Sequence, residues 1–181
     1  NIRRMTDNVN ALLDISLIEE GKYELKLRPL ALEDLIESVV HDLALWATAS
    51  NCEISFQRPE KELPKVLADP LRTRQVIENL ISNAIKYKTV GRGKVEIKLE
   101  QKGKELLLSC KDNGLGIPRS DFKKVFSKFY RSEEAMERDP GGFGLGLYIN
   151  KAIIELSGGR IGFFPNKPFG TTFYFTLPIV T

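Results

Sequence analysis

Two adjacent segments, residues 94–101 and 105–111, alternate apolar and polar side chains with a period of two and are separated only by Lys102-Gly103-Lys104. This is the most constraining feature of the chain. A strand places Val95, Ile97 and Leu99 on one face, and so short a glycine-bearing connection forces the second strand to run back along the first as a hairpin. Helix-period and strand-period segments alternate around the hairpin, which places the chain in the α/β class.

Before the hairpin, residues 1–20 carry Ile2, Met5, Val9 and Leu12 at spacings of three and four, like the seam of a coiled coil, and Leu13 and Leu17 widen the stripe. Gly21 is placed to end this helix as a C-terminal cap. An extended piece over 24–28 leads to Pro29. A second helix is predicted over 32–49, with Leu32, Leu35, Ile36, Val39, Val40, Leu43 and Trp46 on its apolar side. Strands are expected at 52–56 and 65–68. Asp69 and Pro70 read as an N-cap and first helical residue, and that helix runs to about Lys86. After the hairpin come a short helix over 121–126, a polar and then glycine-rich loop over 132–143, a helix over 145–156, and strands at 160–164 and 171–177.

Composition narrows the chemistry. Twenty-seven basic residues against 24 acidic ones leave a net charge of +3, with the two signs interleaved, so no basic face for nucleic acid is expected. One histidine, His41, and two cysteines, Cys52 and Cys110, exclude a His- or Cys-rich metal cage. His41 reads as a surface or helix-packing residue, and both cysteines as buried, reduced thiols in strands. No run approaches the roughly 18 apolar residues of a membrane span. The first residues, Asn1-Ile2-Arg3-Arg4-Met5, do not form a signal peptide, and their start without Met suggests a piece of a longer chain.

Three motifs carry chemistry. On the helix ending at Lys86, Asn79, Asn83 and Lys86 are spaced i, i+4, i+7 and share one face, opposite Ile77, Leu80, Ile81 and Ala84. Amide oxygens are hard neutral ligands suited to Mg²⁺, although the same pattern also fits a solvated polar face. Asp112-Asn113-Gly114-Leu115-Gly116-Ile117-Pro118 follows a strand. Its glycines permit close approach of a flat ligand, and Asp112 can accept from an exocyclic amine such as that of adenine; a plain Asx turn is the alternative. Gly141-Gly142-Phe143-Gly144-Leu145-Gly146-Leu147-Tyr148 opens a helix, where freed N–H groups and the helix dipole favour phosphate. No Gly-Lys-Ser/Thr follows, which excludes a Walker loop, and no H-R-D or D-F-G marks a eukaryotic-type protein kinase.

The order of these motifs, with Phe126-Ser127-Lys128-Phe129-Tyr130-Arg131 between the second and third and Gly170-Thr171-Thr172-Phe173 near the end, resembles the catalytic ATP-binding domain of sensor histidine kinases, within the superfamily of gyrase, Hsp90 and MutL ATPases. The resemblance covers residues 29–178. It implies a two-layer α/β sandwich of a mixed sheet and helices with an ATP lid, preceded by an N-terminal helix. Residues 1–21 resemble the second helix of the family's dimerisation and phosphoacceptor hairpin, and 29–181 its catalytic ATP-binding domain.

Carried onto this sequence, the resemblance implies ATP and Mg²⁺ as cofactors. Asn83 would hold the metal with Asn79 beside it. Lys86 and Tyr87 would contact phosphate and nucleotide, and Asp112 the adenine amine. Gly114, Gly116 and Ile117 would shape the adenine pocket. Phe126, Phe129 and Tyr130 would anchor the lid, and Arg131 would approach the terminal phosphate. Gly142, Gly144, Leu145, Gly146 and Leu147 would form the lid hinge and phosphate cradle, with Thr172 near the nucleotide.

Asn79 stands where the gyrase-like ATPases have a water-activating glutamate, and an amide cannot act as a general base. Transfer to a protein acceptor is therefore expected over hydrolysis, by positioning and charge neutralisation. Implied partners are a dimerisation hairpin and a response-regulator receiver domain, in a cytoplasmic setting, with a homodimeric parent whose membrane anchoring is left open; this chain alone is left open between monomer and dimer. The sequence departs from the pattern at Phe143 and Lys88, and the phosphoacceptor segment is absent, so the chain should bind ATP without phosphorylating itself on that histidine. The alternatives are a non-catalytic ATP-responsive interaction module and a superfamily ATPase or serine kinase.

Overall fold

A computed structural model describes residues 2–89 and 91–180, with side chains from Met5 onward. The Ile2 side chain and Thr181, both included in the expectations above, lie outside the described residues. The elements are α1 (Ile2–Glu19), β1 (Arg28–Leu30), α2 (Leu32–Ala49), β2 (Cys52–Phe56), β3 (Val66–Ala68), α3 (Pro70–Lys86), β4 (Gly93–Lys102), β5 (Glu105–Asp112), a 3₁₀ turn (Arg119–Asp121), α4 (Glu133–Arg138), α5 (Gly146–Leu156), β6 (Ile161–Pro165) and β7 (Thr171–Pro178).

The predicted hairpin is the centre of the molecule. β4 and β5 pair antiparallel from Val95↔Asp112 to Lys102↔Glu105, so Gly103 and Lys104 alone make the turn, with Gly103 at φ +62°. The sheet order is β2-β4-β5-β7-β6, parallel only between β2 and β4, which makes it mixed. Val95, Ile97, Leu99, Leu106, Leu108, Cys110, Phe175 and Leu177 are all buried and meet α2, α3 and α5 on a single side. The opposite side of the sheet presents Glu96, Lys98 and Lys111. This is the expected two-layer sandwich.

α3 starts as its sequence requires. The Asp69 carboxylate accepts from the N–H groups of Leu71 and Arg72 at 3.0 and 3.1 Å, and its second oxygen accepts from Lys26 N–H at 2.9 Å. Burial opposes this charge, but the three N–H donors outweigh it and hold the carboxyl below the usual range. Asp69 thereby ties the chain entering the domain to the helix that carries the amides.

Several expectations need correction. Residues 24–27 form no strand, but a strand not foreseen in the sequence, Arg28–Leu30, follows them, contains Pro29 and pairs with β3 as a separate two-stranded sheet. Pro29 is tolerated because β1 pairs with β3 alone and so is an edge strand. No α-helix forms over 121–126, where the 3₁₀ turn ends at Asp121 and turns follow. The segment 132–143 is not simply a loop: it contains α4, capped by Ser132 Oγ, which accepts from Ala135 N–H at 3.2 Å. Trp46 lies at the rim of α2, 38% exposed, while Ala47 is buried in its place. His41 is exposed, and both cysteines are buried free thiols.

Gly21 caps α1 just beyond its last residue, and its φ of +67° lets Lys22 N–H reach back to the Leu17 carbonyl at 2.8 Å. Ile15 is buried and Ala11 and Ile18 pack toward the core, so one face of α1 rests on the domain beside α5. The other face leaves Met5, Val9, Leu12, Leu13 and Leu17 exposed.

Candidate functional site

A cavity of about 470 Å³ opens between α3, the end of β5, the start of α5 and the segment between them. Its size suits a nucleotide-scale ligand. Asp112 lies at its inner end. Oδ1 accepts from Gly114 N–H at 2.8 Å and Thr171 N–H at 3.1 Å, while Oδ2 takes no hydrogen bond among the described residues. Burial pushes the Asp112 carboxyl up, and the two N–H donors offset only part of that. A fixed acceptor with one oxygen free is suited to an amine donor on a flat ligand.

Two glycines make this arrangement possible. A Cβ at Gly170 would collide with the Asp112 carbonyl oxygen, and one at Gly114 would stand 2.6 Å from the Tyr87 carbonyl oxygen. Gly114 therefore shapes the pocket from behind, without lining it, whereas Gly116 (φ +76°), Leu115, Ile117 and Tyr87 line it directly.

On α3, the sequence-predicted polar face points into the cavity. Asn79 Oδ1 accepts from Asn83 Nδ2 at 3.3 Å and from Asn150 Nδ2 at 2.9 Å. Asn150, on α5, is 1% exposed. Sequence reasoning missed it; the available signal was an amide among apolar residues one turn after Gly146. Gly146 is where it is because a Cβ there would collide with the Asn79 amide. Asn79 is thus locked in place by α5 and Asn83, and its oxygen is already used. The Asn83 oxygen accepts nothing among the described residues and is the one amide oxygen of the pair free to bind a ligand.

At the outer end, Lys86 Nζ lies 3.4 Å from Asp139 Oδ2. Arg131 donates to the carbonyls of Ala135 (2.6 Å), Gly142 (2.9 Å) and Asp139, closing the C-terminal end of α4. Gly142, Gly144, Leu145, Gly146 and Leu147 line the wall here. The first-turn N–H groups of α5 have no acceptor within their own helix, as at any helix start, and present a positive end to the cavity. Gly144, at φ +69°, could not carry a side chain without meeting the Tyr130 carbonyl. Tyr130 also lines the cavity, and its hydroxyl donates to Asp121; burial, then Asp121, push that phenol well up.

Not every expected residue reaches the cavity. Phe126 packs against Phe163 and Phe173, with ring centroids 6.2 and 6.3 Å apart, away from the cavity wall. Phe129 sits at φ +61° and is 59% exposed. Thr172 is buried, donating to Asn166 Oδ1 at 2.6 Å, and its neighbour Thr171 lines the cavity instead, one step along a strand whose side chains alternate. Asp7, Asn8 and Ala11 of α1 also line the cavity, a contribution unseen in the sequence.

The family described as histidine kinase-, DNA gyrase B- and HSP90-like ATPase matches residues 68–181. The chain belongs to this ATPase family. The sensor protein GacS of Pseudomonas syringae pv. syringae is 36% identical over 186 residues, covering 98% of this chain and 20% of its own length. The signal transduction histidine-protein kinase BarA of Escherichia coli K12 is 32% identical, covering 92% of this chain and 18% of its own length. The chain thus spans about a fifth of these curated relatives. Among solved structures, the catalytic domain of histidine kinase ThkA superposes with a TM-score of 0.74 at 29% identity, covering 87% of this chain and 100% of that one. Full-length ShkA in complex with AMPPNP superposes with a TM-score of 0.81 at 27% identity, covering 96% of this chain and 35% of that one.

Membership of an ATPase family makes ATP the substrate for which the cavity is read. Among the described residues no group of three or more His, Cys, Asp or Glu side chains could hold a metal ion. A Mg²⁺ ion does not need one, since it takes few protein ligands and completes its shell with water and phosphate. The free Asn83 oxygen fits that role. Among the described residues, no helix is long and apolar enough to cross a membrane.

Proposed function

We propose that the chain is the ATP-binding catalytic module of a two-component sensor histidine kinase, moving the γ-phosphoryl group of ATP to a histidine on a dimerisation hairpin. The observation that carries this reading is Asn79. It occupies the place, one helical turn before Asn83, where a hydrolytic member needs a base, and its oxygen is spent on two amide donors. A site without a base at that position favours transfer to an external acceptor over activation of water.

In this reading Asp112 Oδ2 accepts from the adenine amine, and Leu115, Ile117 and Tyr87 flank the ring. Asn83 and bound waters hold Mg²⁺, which supplies charge neutralisation on the phosphates. Lys86, Arg131 and the α5 N–H groups take the phosphate oxygens. Residues 1–21 serve as the second hairpin helix, which the exposed stripe Met5, Val9, Leu12, Leu13 and Leu17 supports, since it leaves an apolar seam for another helix. The parent is then a cytoplasmic or membrane-anchored homodimer whose further partner is a receiver domain.

The test is incubation of the chain with labelled Mg-ATP and a separate histidine-bearing hairpin. Label on the hairpin histidine, absent when the chain is incubated alone, is the expected result. Tight ATP binding with no label under any pairing would move the reading to an ATP-responsive interaction module.

A further inference from the structure

Both cations at the outer end of the cavity are engaged by one short stretch of the lid. Lys86 Nζ pairs with the Asp139 carboxylate, and Arg131 donates to the Asp139 carbonyl as well as to those of Ala135 and Gly142. The Asp139 side chain is 14% exposed and that of Lys86 40%, so the carboxylate reaches inward and the lysine comes to it. Asp139 caps the C-terminal end of α4; Pro140 follows, and Gly142 N–H returns to the Asp139 carbonyl at 3.0 Å. A Cβ on Gly142 would stand 3.0 Å from Asp139 Oδ2 and 3.2 Å from the Arg131 guanidinium carbon. Carboxylate and guanidinium therefore share a niche that a glycine keeps open.

A carboxylate oxygen accepts from an ammonium much as a phosphate oxygen does. We infer that Asp139 is an internal competitor for the nucleotide's phosphates, a positioning residue that holds Lys86 on the lid until a polyphosphate displaces it. This rests on the reading of the cavity as an ATP site. Apparent affinity for a ligand that needs Lys86 is lowered by the fraction of molecules in which Lys86 is already held. The competition applies only to ligands that carry phosphate. The Arg131 bonds go to main-chain carbonyls, so replacing the Asp139 side chain leaves their acceptors in place.

Calorimetric titration of the chain with Mg-ATP, and with adenosine by competition, tests this. Asp139→Asn and Asp139→Ser are each expected to tighten Mg-ATP about threefold, the scale of a partly exposed ion pair, and to leave adenosine unchanged. In a Lys86→Met background the same Asp139 substitutions are expected to lose most of that gain. Unchanged or weaker Mg-ATP binding in both variants overturns the inference. So does an equal gain for adenosine, which would mean easier access to the cavity, or a gain that is undiminished without Lys86. A wild-type chain that binds neither ligand overturns the ATP-site reading itself and is distinct from all of these.

Discussion

Arg72 grips the carboxylate of Asp14 with two hydrogen bonds, of 3.0 and 3.2 Å, between residues 58 positions apart. The same guanidinium lies 5.0 Å from the Tyr23 ring centroid. Burial, and then Asp14, push the Tyr23 phenol up to about 12. Because Arg72 stands in the first turn of α3, this contact fastens α1 to the helix that carries Asn79 and Asn83. At the far end of α1, Glu19 pairs with Lys128.

Arg72→Ala should therefore loosen α1 as a unit. The bidentate, mostly buried bond to a charged group is worth about 1.5–3 kcal/mol, and urea denaturation should show a loss of that order. Hydrogen exchange should rise along α1 while β4 and β5 stay protected. A variant with wild-type protection in α1 would show that the pair does not hold the helix.

Asn83→Ala and Asp112→Asn should each weaken ATP binding about tenfold or more, the scale of a charge-assisted hydrogen bond or a lost metal ligand. The two losses should separate by condition. That of Asn83→Ala should disappear when Mg²⁺ is chelated, and that of Asp112→Asn should persist. Unchanged calorimetric affinity in both would remove these residues from the site.

Asp112→Asn should at the same time stabilise the free protein, by about 1 kcal/mol at neutral pH. The Asp112 pKa is raised in the folded state, so the cost of its buried charge is present above that folded pKa and fades as pH falls through it. The stability difference between variant and wild type should accordingly shrink on acidification. A variant less stable than wild type at neutral pH would contradict this account.

Gly146→Ala reverses an ordinary expectation. Replacing glycine by alanine in a helix usually gains about 1 kcal/mol. Here the new Cβ would meet the Asn79 amide, so a loss of about 1–3 kcal/mol is expected, together with weaker ATP binding as Asn79 and Asn83 shift. Chemical denaturation and titration of one sample measure both.

What could be read from the sequence follows the range of its signals. The hairpin, the Asp69 cap and the amide face of α3 are written in residues within a few positions of one another. α4 spans 6 residues, too few for a hydrophobic period, although Ser132-Glu133-Glu134 is a helix-start pattern that would have revealed it. The Asn79–Asn150 bond links positions 71 apart, and the Asp112 carboxylate is fixed by the main chain of Thr171, which leaves no trace in side-chain identity. The placing of Thr172 in the site failed by one residue because a strand turns alternate side chains to opposite faces.

Cys110 lies in the wall of the cavity but is 2% exposed, and burial pushes its thiol far above the ordinary range. Thiolate is the form that attacks electrophiles and is oxidised first. An ATP-site ligand armed with an alkylating group would therefore find no reactive sulfur at Cys110, and selective covalent capture of this cavity would have to aim at another residue, such as the amine of Lys86.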